Sequence, residues 1–523
     1  MDSYDAIIIG SGVGGMTCGG LLAQNGLKTI IVEQHYKAGG CVTSYKRQGF
    51  LFDVVAAMGG MRQGSPIHRI ISGLGIDRTI RFLETEKLFR LISPRRTIDF
   101  YSDLESLRQE LVTAFPNHQA AILSFLQEID MVWDECLRSG YRPGFFSLLT
   151  YPFRFPRLVK YQNLTYGQFL DRFFDDPVLK DVLSLGWQYL GVPASRASAL
   201  YMIALLMSYI RHGTFYPEGG YQKLSNAFID AYRSHGGEIR FSSKVDRIIM
   251  EKGRAVGIRL TSGEEFRARV IIANSDSRQT FLDLVGEENL PGSFAKKIKN
   301  LQLSPSGLTV HLGVNMEVPP ELECGTVIYS PSTGSQERMF DLAACQQMES
   351  DSQKMSFGIN IPTLKDPGLA PDGCHVVELI MLPAPYHAHH TWDSHDPAKY
   401  RVFKQEVGEQ LIKAAENVLP GLSSHAIVTD ISTPLSIERY TSASLGCWYD
   451  AAPTPKQSGL KGLKSRTPVK GLFLTGAKSF PGHGMFGAML SGSFTADEIL
   501  GGKLTQGGYF LSQDSSCPAG TAL

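Results

Sequence analysis

The chain of 523 residues lacks several features that would assign it to a familiar class at once. Lysine plus arginine and aspartate plus glutamate both number 51, so no net charge attracts nucleic acid or a charged membrane. The eight cysteines form no Cys-x-x-Cys pair and no disulfide-like spacing, which favours a reducing compartment. The apolar segment Ala197–Ile210 has only 14 residues between two arginines and is too short to cross a bilayer.

A secretory signal and a metal site are also not expected. The first strand-like run begins within a few residues of Met1, which leaves no room for a signal peptide, so we expect a cytoplasmic location. The segment PYHAHHTWDSHD invites a metal interpretation, but no cysteine or carboxylate accompanies its histidines at ligand spacing. We therefore predict no metal site. The histidines are His387, His389, His390 and His395.

Glycine, in contrast, is plentiful, with 53 residues, and the first cluster has a recognisable order. Gly10 to Gly15 fits G-x-G-x-x-G between a strand-like run, Ala6–Ile9, and a helix predicted over Val13–Gln24. A second strand is predicted over Leu27–Val32 and is followed by Glu33. Such glycines allow a tight turn, the approach of a pyrophosphate and close packing of helix on strand, while the acid accepts hydrogen bonds from a ribose. The pattern predicts a dinucleotide site.

The remaining patterns predict domains that interleave along the chain. From about Gly75 to Arg211 the pattern is helical, with stretches such as Asp103–Phe115 and His118–Cys136. A helix over Tyr221–Ser234 precedes a strand meander, and LTVHLGV, FGINIPT and HVVELIML are strand-like runs further on. A strand, a Gly-rich turn and a helix from about Phe486 close the pattern. We expect a nucleotide-binding domain from residues 1–75, 216–280 and 465–502, a substrate domain from 76–215 and 281–464, and a flexible tail over 503–523.

Several motifs together resemble the FAD-dependent phytoene-desaturase-related family, within the wider amine-oxidase-like flavoprotein fold. They are the N-terminal fingerprint, Gly39-Gly40, GFLFD at Gly49–Asp53, ERYTSASLG at Glu438–Gly446 and TGAKSFPGHGMFGAMLSG near the C-terminus. YLGVPASRASAL and YPEGGYQKL resemble the carotenoid cis-trans isomerase and retinol saturase branch. Cys41 stands where bacterial-type phytoene desaturases usually carry arginine, which argues against plain phytoene desaturation.

The resemblance implies an α/β fold, in which a Rossmann-like FAD-binding domain is interleaved with a substrate domain of mixed sheet and helices. It also implies that FAD binds non-covalently, with Val245 clamping the adenine and the C-terminal turn on the ribityl chain. His483 is either a proton donor or a polar loop residue, and Glu438 and Arg439 either act beside the ring or hold their loop. The cofactor residues implied are Gly10, Gly12, Gly14, Gly15, Glu33, Gly39, Gly40, Val42, Thr43, Met58, Gly59, Val245, Gly476, Ala477, Gly484 and Met485.

The implied activity is saturation, desaturation or cis-trans isomerisation of carbon–carbon bonds in a long apolar polyene or isoprenoid lipid. Two alternatives stay open: an amine-oxidase-like enzyme on a polar substrate, and a non-enzymatic prenyl- or lipid-binding protein of the same fold. The stretch Gly144–Tyr161 alternates aromatic and basic residues. It is either a packed loop or a patch that makes peripheral contact with a membrane.

Overall fold

The computed structural model describes residues 3–54, 57–139, 145–344, 347, 349–386, 392 and 396–506. The strands in this part of the chain are β1 (Ser3–Ile9), β2 (Thr29–Val32), β3 (Ser44–Arg47), β4 (Phe50–Asp53), β5 (Met58–Gly59), β6 (Phe82–Thr85), β7 (Lys87–Ser93), β8 (Arg96–Tyr101), β9 (Thr214–Pro217), β10 (Glu238–Arg240), β11 (Val245–Glu251), β12 (Arg254–Leu260), β13 (Glu265–Ala273), β14 (Ser306–Val314), β15 (Thr326–Tyr329), β16 (Phe357–Asn360), β17 (His375–Ala384), β18 (Ala426–Ser432) and β19 (Leu472–Leu474). The helices are α1 (Val13–Gln24), α2 (Pro66–Gly73), α3 (Leu104–Ala114), α4 (Gln119–Ser139), α5 (Phe145–Arg154), α6 (Pro156–Tyr161), α7 (Tyr166–Leu170), α8 (Pro177–Leu183), α9 (Trp187–Leu190), α10 (Ala199–Ile210), α11 (Tyr221–Ser234), α12 (Gly292–Lys299), α13 (Ser335–Ala344), α14 (Pro397–Ala415), α15 (Pro434–Thr441), α16 (Gly484–Ile499) and α17 (Lys503–Gln506).

The first large sheet joins the two ends of the chain. Its strand order is β10-β2-β1-β13-β12-β11, and β19 pairs with β13. The pairs of β1 with β2 and β13, and of β13 with β19, are parallel. The run Ile7-Ile8-Ile9 is buried, as expected for a parallel strand that is covered on both faces.

The second large sheet has the order β18-β14-β17-β16-β15-β7-β8. Its pairs are antiparallel except for β7 with β15. A small sheet, β5-β9-β6, and the hairpin β3–β4 complete the strands described here. The mixed sheets and helices confirm the predicted fold class.

Helix α1 is buried from Val13 to Ala23. A Cβ added at Gly19 would lie 3.1 Å from the Ile31 side chain, and one at Gly20 would lie 3.2 Å from Leu74. Glycine is a poor helix former, at about 1 kcal/mol relative to alanine. Its small size is what lets α1 lie close to the sheet and to α2, so both glycines have a packing role.

The helices α3 to α10 form a layer whose core contains many large aromatic side chains among aliphatic ones. Phe125, Trp133, Tyr166, Phe169 and Trp187 are all buried in it. The apolar helix α10 is part of this core. Among the described residues, no helix has the length and apolar character needed to cross a membrane.

Two predictions of local structure are wrong. The region predicted to be helical from about Gly75 first forms strands β6, β7 and β8, because β7 pairs with β15, a partner far along the chain. The tail predicted to be flexible from Lys503 first forms α17, whose Leu504 N–H donates to Asp497 Oδ1 at 2.8 Å. Residues 507–523 lie outside the described residues.

Candidate functional site

The N-terminal glycine loop turns between β1 and α1. Gly10 has φ +94°, a conformation open to glycine, and Gly12 is the extended residue before the helix. In the described residues no side chain caps the start of α1. The helix start therefore offers backbone N–H groups and a positive dipole end to an anion.

The C-terminal glycine turn, which contains Gly476, lies against this loop. A Cβ on Gly14 would be only 2.3 Å from Gly476 Cα, and one on Gly476 would be 2.1 Å from Asn274 Oδ1. Asn274 follows β13, and its amide also donates to the Gly10 carbonyl oxygen at 3.4 Å. The structure thus brings together residues from three distant segments. Asn274 was missed by sequence reasoning, since its only signal is its place after a buried strand.

The carboxylate of Glu33 is buried at the end of β2 and faces the glycine loop. Its Oε2 accepts from the Ser11 N–H at 2.8 Å and from Ser11 Oγ at 2.7 Å. Its Oε1 accepts from the His35 N–H at 2.8 Å. These bonds fix the acid at the carboxyl edge of the sheet, where a ribose is bound in dinucleotide folds. Ser243 N–H donates to the Glu33 carbonyl oxygen at 2.8 Å, which brings Val245 to the same end.

The Gly39-Gly40 pair lies directly on the glycine loop. The Gly39 N–H donates to the Ser11 carbonyl oxygen at 3.1 Å, and a Cβ on Gly40 would be 3.3 Å from Gly12 Cα. The next two residues attach this loop to α11: the Val42 carbonyl oxygen accepts from Ser225 Oγ, and Thr43 Oγ1 donates to Gln222 Oε1, both at 2.5 Å.

Met58 and Gly59 meet the C-terminal turn on its other side. Met58 is fully buried, and a Cβ on Gly59 would be 2.9 Å from the Tyr209 ring. A Cβ on the neighbouring Gly60 would be 2.7 Å from the Phe486 ring, in the first turn of α16. Gly484 and Met485 begin that same helix.

His483 precedes α16 and is buried between two tyrosine rings. Its ring centroid lies 4.9 Å from that of Tyr201 and 4.8 Å from that of Tyr449. Its backbone N–H donates to the Tyr201 hydroxyl at 2.8 Å. Burial, and then the charge of Lys478, lowers the pKa of His483 to about 3. The imidazole is therefore neutral at neutral pH, so the predicted role of proton donor would have to use a neutral ring.

A buried ionic cluster that sequence reasoning did not identify supports the C-terminal turn. Lys478 Nζ lies 3.7 Å from Asp450 Oδ2, which also accepts from Ser277 Oγ at 2.7 Å. Burial lowers the pKa of Lys478, but the charges of Asp450 and Asp276 outweigh it and leave the pKa above its ordinary value. Asp276 in turn accepts from Ser444 Oγ at 2.8 Å. The Lys478 ammonium thus offsets part of the negative charge of the two buried aspartates.

Glu438 and Arg439 lie on α15, near the end of the site that Glu33 marks. Glu438 accepts a hydrogen bond from the Tyr386 hydroxyl, while Arg439 and Tyr440 are exposed. The Tyr440 ring centroid lies 6.0 Å from that of His35. These contacts suit a role in holding the loop, and a catalytic role for either residue stays a prediction.

These residues fit a flavin dinucleotide. The glycine loop leaves room for a phosphate close to the backbone. Buried polar groups are normally hydrogen-bonded, so buried polar atoms without a protein partner indicate a place where a ligand could bind. Four buried polar atoms of the two segments around Lys478 have no partner in the described part of the chain: Trp448 Nε1, Asp450 Oδ1, Thr475 Oγ1 and His483 Nε2. No group of three metal-ligating side chains occurs in that part either. His387, His389, His390 and His395 lie outside the described residues.

The glycine loop between β1 and α1 packs against the C-terminal glycine turn, and this arrangement is typical of a flavoprotein fold. The flavin-containing amine oxidoreductase family matches residues 13–500, and the chain belongs to that family. This membership confirms the prediction of an FAD-dependent enzyme. An oxidoreductase from Methanosarcina mazei has a similar fold, with a TM-score of 0.66 at 16% identity over 94% of this chain and 99% of that one.

The relatives by sequence include three enzymes of carotenoid and retinoid chemistry. The chain is 26% identical to the chloroplastic prolycopene isomerase of Arabidopsis thaliana, over 95% of this chain and 82% of the relative. It is 25% identical to the lycopene-forming phytoene desaturase of Pseudescherichia vulneris, over 94% and 98%. It is 25% identical to the all-trans-retinol 13,14-reductase of Danio rerio, over 95% and 86%. The predicted resemblance is confirmed.

The glycine loop yields a prediction about cofactor retention. A Cβ on Gly12 would lie 2.7 Å from Asn274 Nδ2, so Gly12→Val crowds the loop at the place where a pyrophosphate would approach. Overpacking costs about 1–3 kcal/mol, and each 1.4 kcal/mol is about tenfold in binding. We expect the ratio of flavin to protein absorbance in purified Gly12→Val to fall at least about tenfold. Gly292→Val, at a helix start with open space, is the control. Full flavin content in a folded Gly12→Val protein would contradict this account.

The buried imidazole yields a prediction about pH. Unfolded chains take up a proton at a histidine near pH 6.5, whereas folded His483 does so only near 3. Its stabilising contribution is complete above pH 6.5 and is lost as the pH falls towards 3. In His483→Asn the fall in unfolding free energy between pH 6 and 4 should be shallower than in the unchanged protein, by up to about 1.4 kcal/mol per pH unit. Chemical denaturation at several pH values measures it, with the exposed His425→Asn as control. Equal slopes in the His483 variant and the unchanged protein would count against a buried neutral ring.

Proposed function

We propose that the protein is an FAD-dependent oxidoreductase that acts on carbon–carbon bonds of a long apolar polyene or isoprenoid lipid. Its relatives act on prolycopene, phytoene and retinol, by their names. Of the motifs shared with the isomerase and saturase branch, YLGVPASRASAL lies in the helical layer, and YPEGGYQKL runs from β9 into α11. We also propose the domain boundaries given above, because the first large sheet draws on segments at both ends of the chain and the second on residues between them.

The chain's own residues would hold the cofactor as follows. The start of α1 would bind the pyrophosphate, with Glu33 at the adenosine ribose and Val245 at the adenine. The remaining contacts would come from Gly39-Gly40, from Met58–Gly59 and from the turn that includes Gly476 and Ala477. The start of α16 would place a positive dipole end next to negative charge on the ring. When bound, a flavin supplies reversible hydride or electron exchange with a carbon centre.

The observation that carries the substrate class is the aromatic, uncharged wall around His483. Tyr201 and Tyr449 flank the imidazole, and Tyr189 and Tyr209 lie beside them, with ring centroids 5.7 Å apart. Burial raises the pKa of all four phenols, so they are neutral at physiological pH. The charges nearest to this wall, Lys478 and Asp450, pair with each other. Such a surface suits a conjugated hydrocarbon more than a charged substrate.

The main test is conversion of lipid by the purified, FAD-loaded protein under anaerobic conditions. Oxidised and reduced enzyme are each incubated with cis-polyenes, phytoene-type and retinoid lipids, and the products are separated by chromatography. We expect one of these classes to change its double-bond number or geometry. Protein whose flavin has been removed is the control and should convert nothing.

The same preparation also distinguishes the proposed function from an amine oxidase and from a non-enzymatic lipid-binding protein. An amine oxidase would produce hydrogen peroxide in proportion to added amine, and an aromatic wall can also bind a cation. A non-enzymatic binder would retain lipid without changing it. Amine-dependent peroxide without lipid conversion, or lipid binding without conversion, would contradict the proposal.

We further propose that the protein makes peripheral contact with a membrane. The contacting patch would be smaller than the stretch Gly144–Tyr161 that the sequence predicted. Phe155, Leu158 and Tyr161 are buried in the helical core, which removes them from the predicted interfacial stretch. Phe153, at 87% exposure, and the exposed Arg154 and Lys160 remain at the surface. An aromatic ring flanked by basic groups suits the headgroup boundary of a membrane.

This patch yields a prediction about sedimentation. Phe153→Ser should reduce the fraction of protein that sediments with anionic liposomes, because it removes the exposed apolar ring from the patch. Tyr36→Ser, which changes another highly exposed ring elsewhere, is the control and should leave that fraction unchanged. Equal sedimentation of Phe153→Ser and the unchanged protein would exclude the patch as the contact.

A further inference from the structure

A pair of buried acids, Asp53 and Glu378, lies between the hairpin β3–β4 and strand β17. The Asp53 N–H donates to Glu378 Oε1 at 3.0 Å, which ties the hairpin to the second large sheet. Neither acid belongs to the cofactor residues proposed above. Burial, and in Glu378 also the nearby Asp53 charge, raises the pKa of both acids.

Hydrogen bonding separates the two acids into different roles. Asp53 accepts from the Tyr216 hydroxyl at 2.5 Å, from the Tyr221 N–H at 3.1 Å and from the Ser44 hydroxyl. Three donors stabilise its charged form. Glu378 accepts from the Asp53 N–H, lies near the Asn360 amide and has the charge of Asp53 beside it, so the proton of the pair resides on Glu378. Its pKa lies well above its ordinary value, whereas that of Asp53 rises only to about 6.

The pair borders a small cavity that extends to Ala57, next to the predicted cofactor residues Met58 and Gly59. The cavity holds about 20 Å³, enough for one water molecule, and is lined by Asp53, Glu378, Asn360, Lys365 and Ala57 among others. Ala57 accepts from the Tyr209 hydroxyl at 3.4 Å and directly precedes Met58 and Gly59. Asn360 is held by Thr326 Oγ1, which donates to its Oδ1 at 2.7 Å.

The other ionisable groups near the cavity have partners of their own. Lys365 Nζ donates to the Cys324 carbonyl oxygen at 3.0 Å, and burial lowers the pKa of its ammonium group. Burial raises the pKa of the Cys324 thiol to about 12. Burial also lowers the pKa of His311, whose Nε2 bonds the Asp53 carbonyl oxygen at 2.9 Å, to about 4. The thiol and the imidazole are therefore neutral at neutral pH and carry no proton that they readily give up.

We propose that Glu378 is a proton store for the active site, exchanging its proton through the cavity beside Ala57. This inference rests on the proposed function. In the saturation of a double bond, a bound reduced flavin would supply the hydride equivalent to one carbon, and Glu378 would supply the proton to its neighbour. The O–H bond of Glu378 breaks, a C–H bond forms by way of water, and the carboxylate left behind is protonated again from solvent. In desaturation Glu378 would first lose its proton to solvent, and the carboxylate would then take up the proton released by the substrate carbon; isomerisation needs no proton.

The test uses FAD-loaded enzyme and the variant Glu378→Gln, whose amide oxygen still accepts from the Asp53 N–H. The first arm is an infrared spectrum at neutral pH without lipid. We expect a carbonyl band of a protonated carboxylic acid that shifts in D₂O and is missing in Glu378→Gln. Glu378→Asp should restore such a band. Glu135→Gln, at another buried glutamate in the helical layer, should leave the band unchanged.

The second arm measures single-turnover lipid conversion. Glu378→Gln should slow net reduction or desaturation at least about tenfold, as expected when a positioned proton donor is lost. Flavin content and isomerisation should be unchanged. Glu378→Asp should recover part of the rate.

The two arms also separate this inference from the proposed function. An unchanged protein without the band, a band that persists in Glu378→Gln, or an unaffected rate would overturn the proton store. If Glu378→Gln fails to hold FAD, the infrared band in the unchanged protein and in Glu378→Asp still shows whether the acid at position 378 is protonated. If no lipid is converted by the unchanged protein, the proposed function fails, while the infrared arm still judges Glu378.

Discussion

The close contact of Gly14 with Gly476 is the constraint on which the rest of the structure depends. A Cβ on Gly14 would overlap the Gly476 backbone, and a Cβ on Gly476 would overlap the Asn274 amide. Both positions must therefore be glycine for α1 and the C-terminal turn to come into contact. The contact lies beside β19, which pairs with β13 and so brings the C-terminal end of the chain into the sheet that contains β1. The candidate cofactor site lies where the three segments converge, because the Gly39-Gly40 loop also rests on the first turn.

The site separates charge from apolar surface. The Lys478 ammonium offsets part of the charge of Asp450 and Asp276 beside the C-terminal turn, and Glu33 is held by the Ser11 and His35 N–H groups at the end proposed for the adenosine. The wall around His483 is aromatic and neutral, since burial has shifted every titratable ring there towards its uncharged form. Relatives of this chain include both an isomerase and enzymes of net oxidation or reduction.

Local sequence patterns were sufficient for the parts of the fold that depend on neighbours along the chain. Helices α1 and α11 begin and end where the apolar periodicity and flanking glycines predict. Strands β7 and β8 were not predicted although they form a local hairpin; what no local pattern indicates is the pairing of β7 with the distant β15. The same limit applies to the site: the glycines of the cofactor loop have a spacing that can be read, whereas Asn274, Lys478 and Glu378 become significant only through partners distant in sequence.

The central claim is that turns from opposite ends of the chain form one flavin site, and hydrogen exchange tests it most directly. Amide exchange is compared between FAD-loaded and FAD-depleted protein at the level of short peptides. The account predicts that cofactor binding slows exchange together in the peptides that cover residues 10–15, 39–43 and 475–485, because all three segments converge on the bound group. Protection confined to the N-terminal peptides, with exchange at 475–485 unchanged, would contradict it.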